Sequence, residues 1–144
     1  MQYVCDAGGG KTWFRIETAA EAADESQAMR HAVERYFRRE YDGAVTRYRP
    51  PPSTSYIERD IGLGAHIQRS MPLFLTLRAH DGTPLATAML PPGGKDDDSF
   101  RMIVVGAANA DPFGAQADAI AALGRHFGLT LTRERCYPYQ NYGV

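Results

Sequence analysis

Cys5-Asp-Ala-Gly-Gly-Gly-Lys-Thr12, or CDAGGGKT, admits two readings that lead to different folds. Three glycines ahead of Lys11 and Thr12 match the end of a phosphate-cradling loop, which would follow a strand and open a helix. That loop also needs a glycine five positions before Gly10, where this chain has Cys5. The next residues, Thr12 to Glu17, alternate instead of repeating at helical spacing. Thr12, Phe14 and Ile16 fall on one side, with Trp13, Arg15 and Glu17 on the other. A helix N-terminus that would face phosphates is therefore not expected here. The glycines supply positive φ for a tight turn, and QYVCD (2–6) and TWFRIE (12–17) read as the two arms of a β-hairpin.

Outward from the hairpin, Thr18-Ala-Ala-Glu21 has the form of a capping box. The spacing predicts one long helix to about Tyr41, stopped near Gly43, with Ala22, Met29, Val33, Tyr36 and Phe37 as its apolar stripe. RPPPSTS (49–55) cannot continue a helix. A hairpin and one helix are too small to hold a core alone, so this segment reads as a rigid bridge inside one domain covering 1–144. Residues 55–71, SYIERDIGLGAHIQRSM, read as a short helix ended by Gly62 and Gly64 within a glycine-containing loop.

The pattern then sharpens. PLFLTLRA alternates, HDGT is a turn, PLATAML returns, and FRMIVVG is an apolar run suited to a central strand. Asp111-Pro112 should open a last helix whose buried stripe is Phe113, Ala117, Ile120, Leu123 and Phe127, ended by Gly128. LTLTRER (129–135) reads as a closing strand, and 136–144 as an aromatic tail. The order ββα-βββ-α-β gives an α+β class: a single-layer, mostly antiparallel sheet of about five to six strands, with two helices on one face.

Composition narrows function by exclusion. The 144 residues are 44% hydrophobic and 23% charged with a formal net charge of -1, so no global attraction to nucleic acid or anionic membrane is expected. No stretch approaches the roughly 20 apolar residues of a membrane span. The start lacks a leader-like pattern and there are two cysteines, so a cytoplasmic setting with reduced thiols is the expectation. His31, His66, His80 and His126 are isolated, and Asp96, Asp97 and Asp98 lack the alternation of a calcium loop. Neither a metal nor a cofactor is implied.

Three sets of residues remain as candidates. Tyr137, Tyr139 and Tyr142 form a nearly uncharged terminal stretch that packs on its own domain or meets a partner protein, since tyrosine suits interfaces. His66 with Glu58 or Asp60 could act as an acid–base pair if the glycine-containing segment borders an active site. Arg30, Arg35, Arg38, Arg39 and Arg47, interleaved with aromatics, have the composition of a nucleic-acid contact, partly neutralised by Glu34, Glu40 and Asp42. Since no enzyme signature is met, the leading expectation is a non-catalytic adaptor that self-associates or docks on a partner protein. A small-molecule enzyme and a nucleic-acid binder are the alternatives.

Overall fold

In the computed structural model, which describes residues 1–52 and 54–137, CDAGGGKT is a hairpin turn. Strands β1 (Gln2–Gly8) and β2 (Lys11–Arg15) pair antiparallel across it. Gly8, Gly9 and Gly10 take φ of 80°, 60° and 77°, a run that residues with a Cβ rarely adopt. The sheet continues through β3 (Leu73–Arg78), β4 (Pro84–Leu90) and β5 (Met102–Val105), all antiparallel and in sequence order. A short sixth strand, β6 (Cys136–Tyr137), joins β5 in parallel. A parallel neighbour requires a crossover, and helix α4 (Ala117–Phe127) lies within it.

Helices cover both faces of this mixed sheet, which corrects the expected arrangement of two helices on one face. Trp13, Leu73, Leu75, Leu77, Ala88 and Val104 meet Ala119, Ile120 and Leu123 of α4 on one side. The Trp13 indole N–H also donates to the Ala119 carbonyl at 2.8 Å, which ties the hairpin to the crossover. On the other side Ile16, Phe74 and Met89 pack with residues of three helices: α1 (Ala19–Met29), α2 (Val33–Arg47) and α3 (Tyr56–Ser70). The alternating run in β3 is therefore apolar on one side and mixed on the other, and both sides are buried. Alternation reveals two faces, but it does not count the layers packed against them.

The single long helix breaks in two. Thr18 caps α1 as expected, with Glu21 completing the box. At its other end Arg30 turns left-handed, at φ 53°, and its N–H returns to the Ser26 carbonyl. The Ser26 hydroxyl then accepts from the Glu34 N–H at 2.8 Å, serving the first turn of α2, where Ala32 offers no cap. The apolar positions 22, 29, 33 and 37 stay at helical spacing across this break, so the stripe conceals it.

Three other boundaries move. The 55–71 segment is one continuous helix, capped by Ser55, that runs through Gly62 and Gly64. The glycines permit close packing: a Cβ on Gly62 would sit 2.2 Å from the Tyr48 hydroxyl. Asp111 binds the Phe113 N–H at 2.8 Å and Arg133 at 2.7 Å, and α4 begins only at Ala117. The expected LTLTRER strand is absent. Leu129 and Leu131 instead pack against the core, and the Leu129 carbonyl passes within 2.7 Å of where a Cβ on Gly124 would be. Pairing with β5 begins at Cys136.

Gly94 tests this packing directly. It is buried at φ +69°, and an added Cβ would lie 2.3 Å from a ring carbon of Phe127. Gly94→Ala should cost about 2 kcal/mol or more, combining a left-handed φ with overpacking. Urea unfolding of the two proteins reads the difference.

Candidate functional site

The most unusual side chain in the fold is Glu25, which sits inside α1 with 0% exposure. An isolated carboxylate in such a place would be very costly, so its partners define the site. Arg78 on β3 donates through Nη2 to one Glu25 oxygen at 2.7 Å. Thr87 on β4 donates its hydroxyl to the other at 2.5 Å. Arg78 is oriented in turn by Thr76, its Nε donating to Oγ1 at 3.0 Å. Thr76 and Thr87 are cross-strand partners, so one rung of the sheet holds both ends of the cluster.

The network extends to His31, in the break between α1 and α2. Its Nε2 lies 2.8 Å from the Thr87 oxygen, and its Nδ1 accepts a long bond, 3.4 Å, from the Val33 N–H. With Nδ1 accepting and Thr87 donating onward to Glu25, the hydrogen-bond pattern assigns the ring proton to Nε2. Burial pushes the His31 imidazole below its usual pKa, against the pull of its own backbone and of Glu25. The result is a neutral imidazole at one end of a chain whose charges lie at the other.

His31 and Thr87 border a cavity of about 260 Å³. Its walls are mostly apolar, with Val33, Phe74, Met89, Ile103 and Val105 among them, and Tyr36, Asn109 and Tyr137 also line it. The cavity exists because α1 and α2 do not cover the outward side of β5. The three non-glycine residues with left-handed φ among the described residues are Arg30, Ala108 and Asn109. Arg30 precedes His31, and the other two form the turn that brings Asn109 to the cavity wall. Unfavoured backbone persists where surrounding structure holds it, and such positions concentrate at ligand sites.

The other sequence candidates have different surroundings. His66 faces α2, its Nε2 3.0 Å from the Ala44 carbonyl and its ring 5.3 Å from that of Tyr48. Glu58 is exposed two helical turns away, about 12 Å along the axis at 1.5 Å per residue. Asp60 is exposed as well, so neither carboxylate meets His66 within this helix. The five arginines are exposed, but Arg38 bonds Glu34 at 2.9 Å and Arg39 lies 3.7 Å from Glu40 and over the Tyr36 ring. Tyr137 lines the cavity beneath the Arg101 guanidinium, while Tyr139 and Tyr142 lie outside the described residues.

Cys136 is buried, and burial raises its pKa to about 11 in spite of Arg135 next to it. Arg135 is turned to Asp96 and Asp98, at 3.0 and 3.7 Å. Cys5 and Cys136 stand on strands at opposite edges of the sheet. Among the described residues no cluster of three or more His, Cys, Asp or Glu could hold a metal ion, and no helix is long and apolar enough to cross a membrane. Sequence reasoning missed the cavity and the buried Glu25. The one available signal was a glutamate at position 25, between Ala22 and Met29 on the apolar stripe. No family model, curated protein or solved structure matches this chain.

Two outcomes follow from this network. Glu25→Ala leaves Arg78 and Thr87 facing a void and should cost about 3–5 kcal/mol. The Glu25→Leu/Arg78→Met double variant should recover most of that loss in chemical denaturation, because no unpaired charge remains. For His31, the folded state holds a depressed pKa, so the unfolded chain binds the proton more readily. Stability should be full above about pH 6.5 and fall as pH drops toward the folded pKa. The decline should be shallower in His31→Gln, as read from melting curves between pH 7.5 and 5.

Proposed function

We propose that the protein is a binding module for a small, neutral and mainly apolar molecule held in the cavity between the start of α2 and strands β4 and β5. The observation that carries this reading is the meeting of an apolar cavity with a rigid polar pair. His31 and Thr87 are fixed from behind by the buried Glu25–Arg78 pair. An apolar pocket with a few convergent polar groups is the usual form of a small-molecule site. The volume of about 260 Å³ exceeds the roughly 150 Å³ that holds one benzene ring, which favours one or two rings or a chain of similar bulk.

The chemistry of the walls selects for a neutral ligand. Among the lining residues none carries a fixed charge, and His31 is kept neutral by burial. A buried ion without a partner would be strongly disfavoured there. Binding is also a better fit than catalysis. The Thr87 hydroxyl is committed to Glu25, both Glu25 oxygens are bonded, and the His31 proton points to Thr87. An acid–base group needs a proton it can release toward substrate, and here the protons run inward.

The test uses 1-naphthol and 1-octanol as probes, titrated by calorimetry. Binding in the range of about 10–500 μM is expected for ligands of this size. Ile103→Trp, which places an indole in the cavity from the uncovered side of β5, should weaken both by at least about tenfold. Native mass spectrometry of protein recovered from its own host should show a non-covalent adduct that Ile103→Trp lacks. Equal isotherms for the two proteins, or no heat with either probe, would sink the proposal.

A further inference from the structure

Helix α3 has no buried residue, and its first half carries three large apolar side chains in the open: Tyr56, Ile57 and Ile61 at 83%, 74% and 69% exposure. On a helical projection Ile57, Ile61 and Ala65 share the side away from the contacts that His66 makes with α2 and Gly62 with Tyr48, and Gly64 lies at the edge of that side, bordering a recess it shares with Phe37 and Tyr41. Gly64 has open space around it and Ala65 is exposed, so a shallow step lies one turn beyond Ile61. The three apolar side chains expose roughly 400 Å² between them, at the size where a patch on a monomer usually has a use.

The charges beside this stripe indicate what covers it. Glu58 and Arg69 are both exposed, lie on the same edge of the stripe, and border the groove between α3 and the proline-rich bridge. Neither has an ion-pair partner among the described residues. They are separated by eleven positions, about 16 Å along the helix at 1.5 Å per residue. When two antiparallel helices pack about a two-fold axis, residues on the same edge of each face one another. Glu58 of one copy then meets Arg69 of the other, twice, with the axis passing near residues 63 and 64. In that register Ile61 of each copy rests on the Gly64–Ala65 step of its mate. A parallel two-fold arrangement would keep Glu58 and Arg69 of the two copies about 16 Å apart along the helices and on opposite sides of the interface, so no ion pair would form between them.

We propose that α3 is the interface of a homodimer, formed by antiparallel pairing of the Ile57–Ile61–Ala65 stripe and closed by two Glu58–Arg69 ion pairs between copies. The interface is isologous: one patch serves both partners. Helix α3 supplies about half of the 800 Å² per partner of a standard interface, and exposed Pro51 and Pro52 beside the groove extend it. The dimer is accordingly of modest affinity, with a dissociation constant in the micromolar range. This inference is independent of the cavity, which lies between the start of α2 and β5.

Sedimentation equilibrium of the full chain from about 5 to 500 μM tests the proposal. The unaltered protein should show a monomer–dimer equilibrium, and Ile61→Asp should remain monomeric throughout. Glu58→Arg and Arg69→Glu should each weaken the dimer at least fivefold. The Glu58→Arg/Arg69→Glu double variant should return to within about threefold of the original constant, since only a self-paired antiparallel interface restores both contacts at once. Because all three positions are exposed, unchanged melting curves will report that the variants fold. Probe binding should be the same in Ile61→Asp, which separates this test from that of the cavity. A monomer at every concentration, a dimer that survives Ile61→Asp, or a double variant no better than the singles would overturn the proposal.

Discussion

Everything on the α1–α2 side of the sheet is arranged around one carboxylate that has no access to water. Glu25 can be ionised there only if positive charge and hydroxyl donors come to it, and they arrive from two adjacent strands, Arg78 on β3 and Thr87 on β4. That requirement fixes the height and rotation of α1 over the sheet far more tightly than apolar packing would. Ala22 and Met29 could slide against a neighbouring side chain at little cost, but a buried ion pair cannot lose its geometry gradually. Such pairs contribute little net stability against a well-packed apolar replacement. Their effect here is on position: with α1 pinned, its C-terminal turn delivers His31 to the same threonine.

The extent of the helical layers explains why a cavity follows. Helix α4 belongs to a crossover, and the parallel strand β6 obliges that crossover to span one face from β5 back toward the hairpin. The opposite face has no such element. Its cover comes from α1, α2 and α3, with α1 placed by Glu25 over β3 and β4, and it ends before β5. Ile103 and Val105 face the cavity there, with Tyr36, Asn109 and Tyr137 among the other residues around it. Apolar strand residues beyond the helical cover, roofed in part by aromatic side chains, form a recess. The cavity is what remains when one layer is held in place by charge and the other by topology.

These origins account for what the sequence makes legible. The glycine hairpin, the strands at 73–78 and 84–90, the capping box at Thr18 and the helix end at Gly128 rest on local chemistry, and each is where the local pattern puts it. The helix break at Arg30 was hidden, because Ser26 supplies a cap from eight residues away and the apolar spacing passes through without a fault. Gly62 and Gly64 suggested an end to α3, but Gly62 serves close contact with Tyr48. The alternation of β3 revealed two faces and gave no count of layers. The site was harder still. Glu25, Arg78, Thr87 and His31 are separated by up to 62 positions, and each alone resembles an ordinary polar residue.

The polarity of the network also limits what the cavity can hold. Arg78 and Glu25 cancel each other's charge behind the wall, and Thr87 passes a hydrogen bond outward without passing a charge. His31 reaches the cavity neutral, because burial disfavours its charged form more than Glu25 and its own backbone favour it. A carboxylate ligand would find no cation on the wall, and an amine would find no anion. A hydroxyl or carbonyl group needs neither, since Thr87 keeps a free lone pair and an imidazole edge is polar enough to tolerate it. On the proposed binding reading, discrimination by charge would come from the same contacts that hold α1 on the sheet, and a change that loosens the helix should blur ligand choice as well.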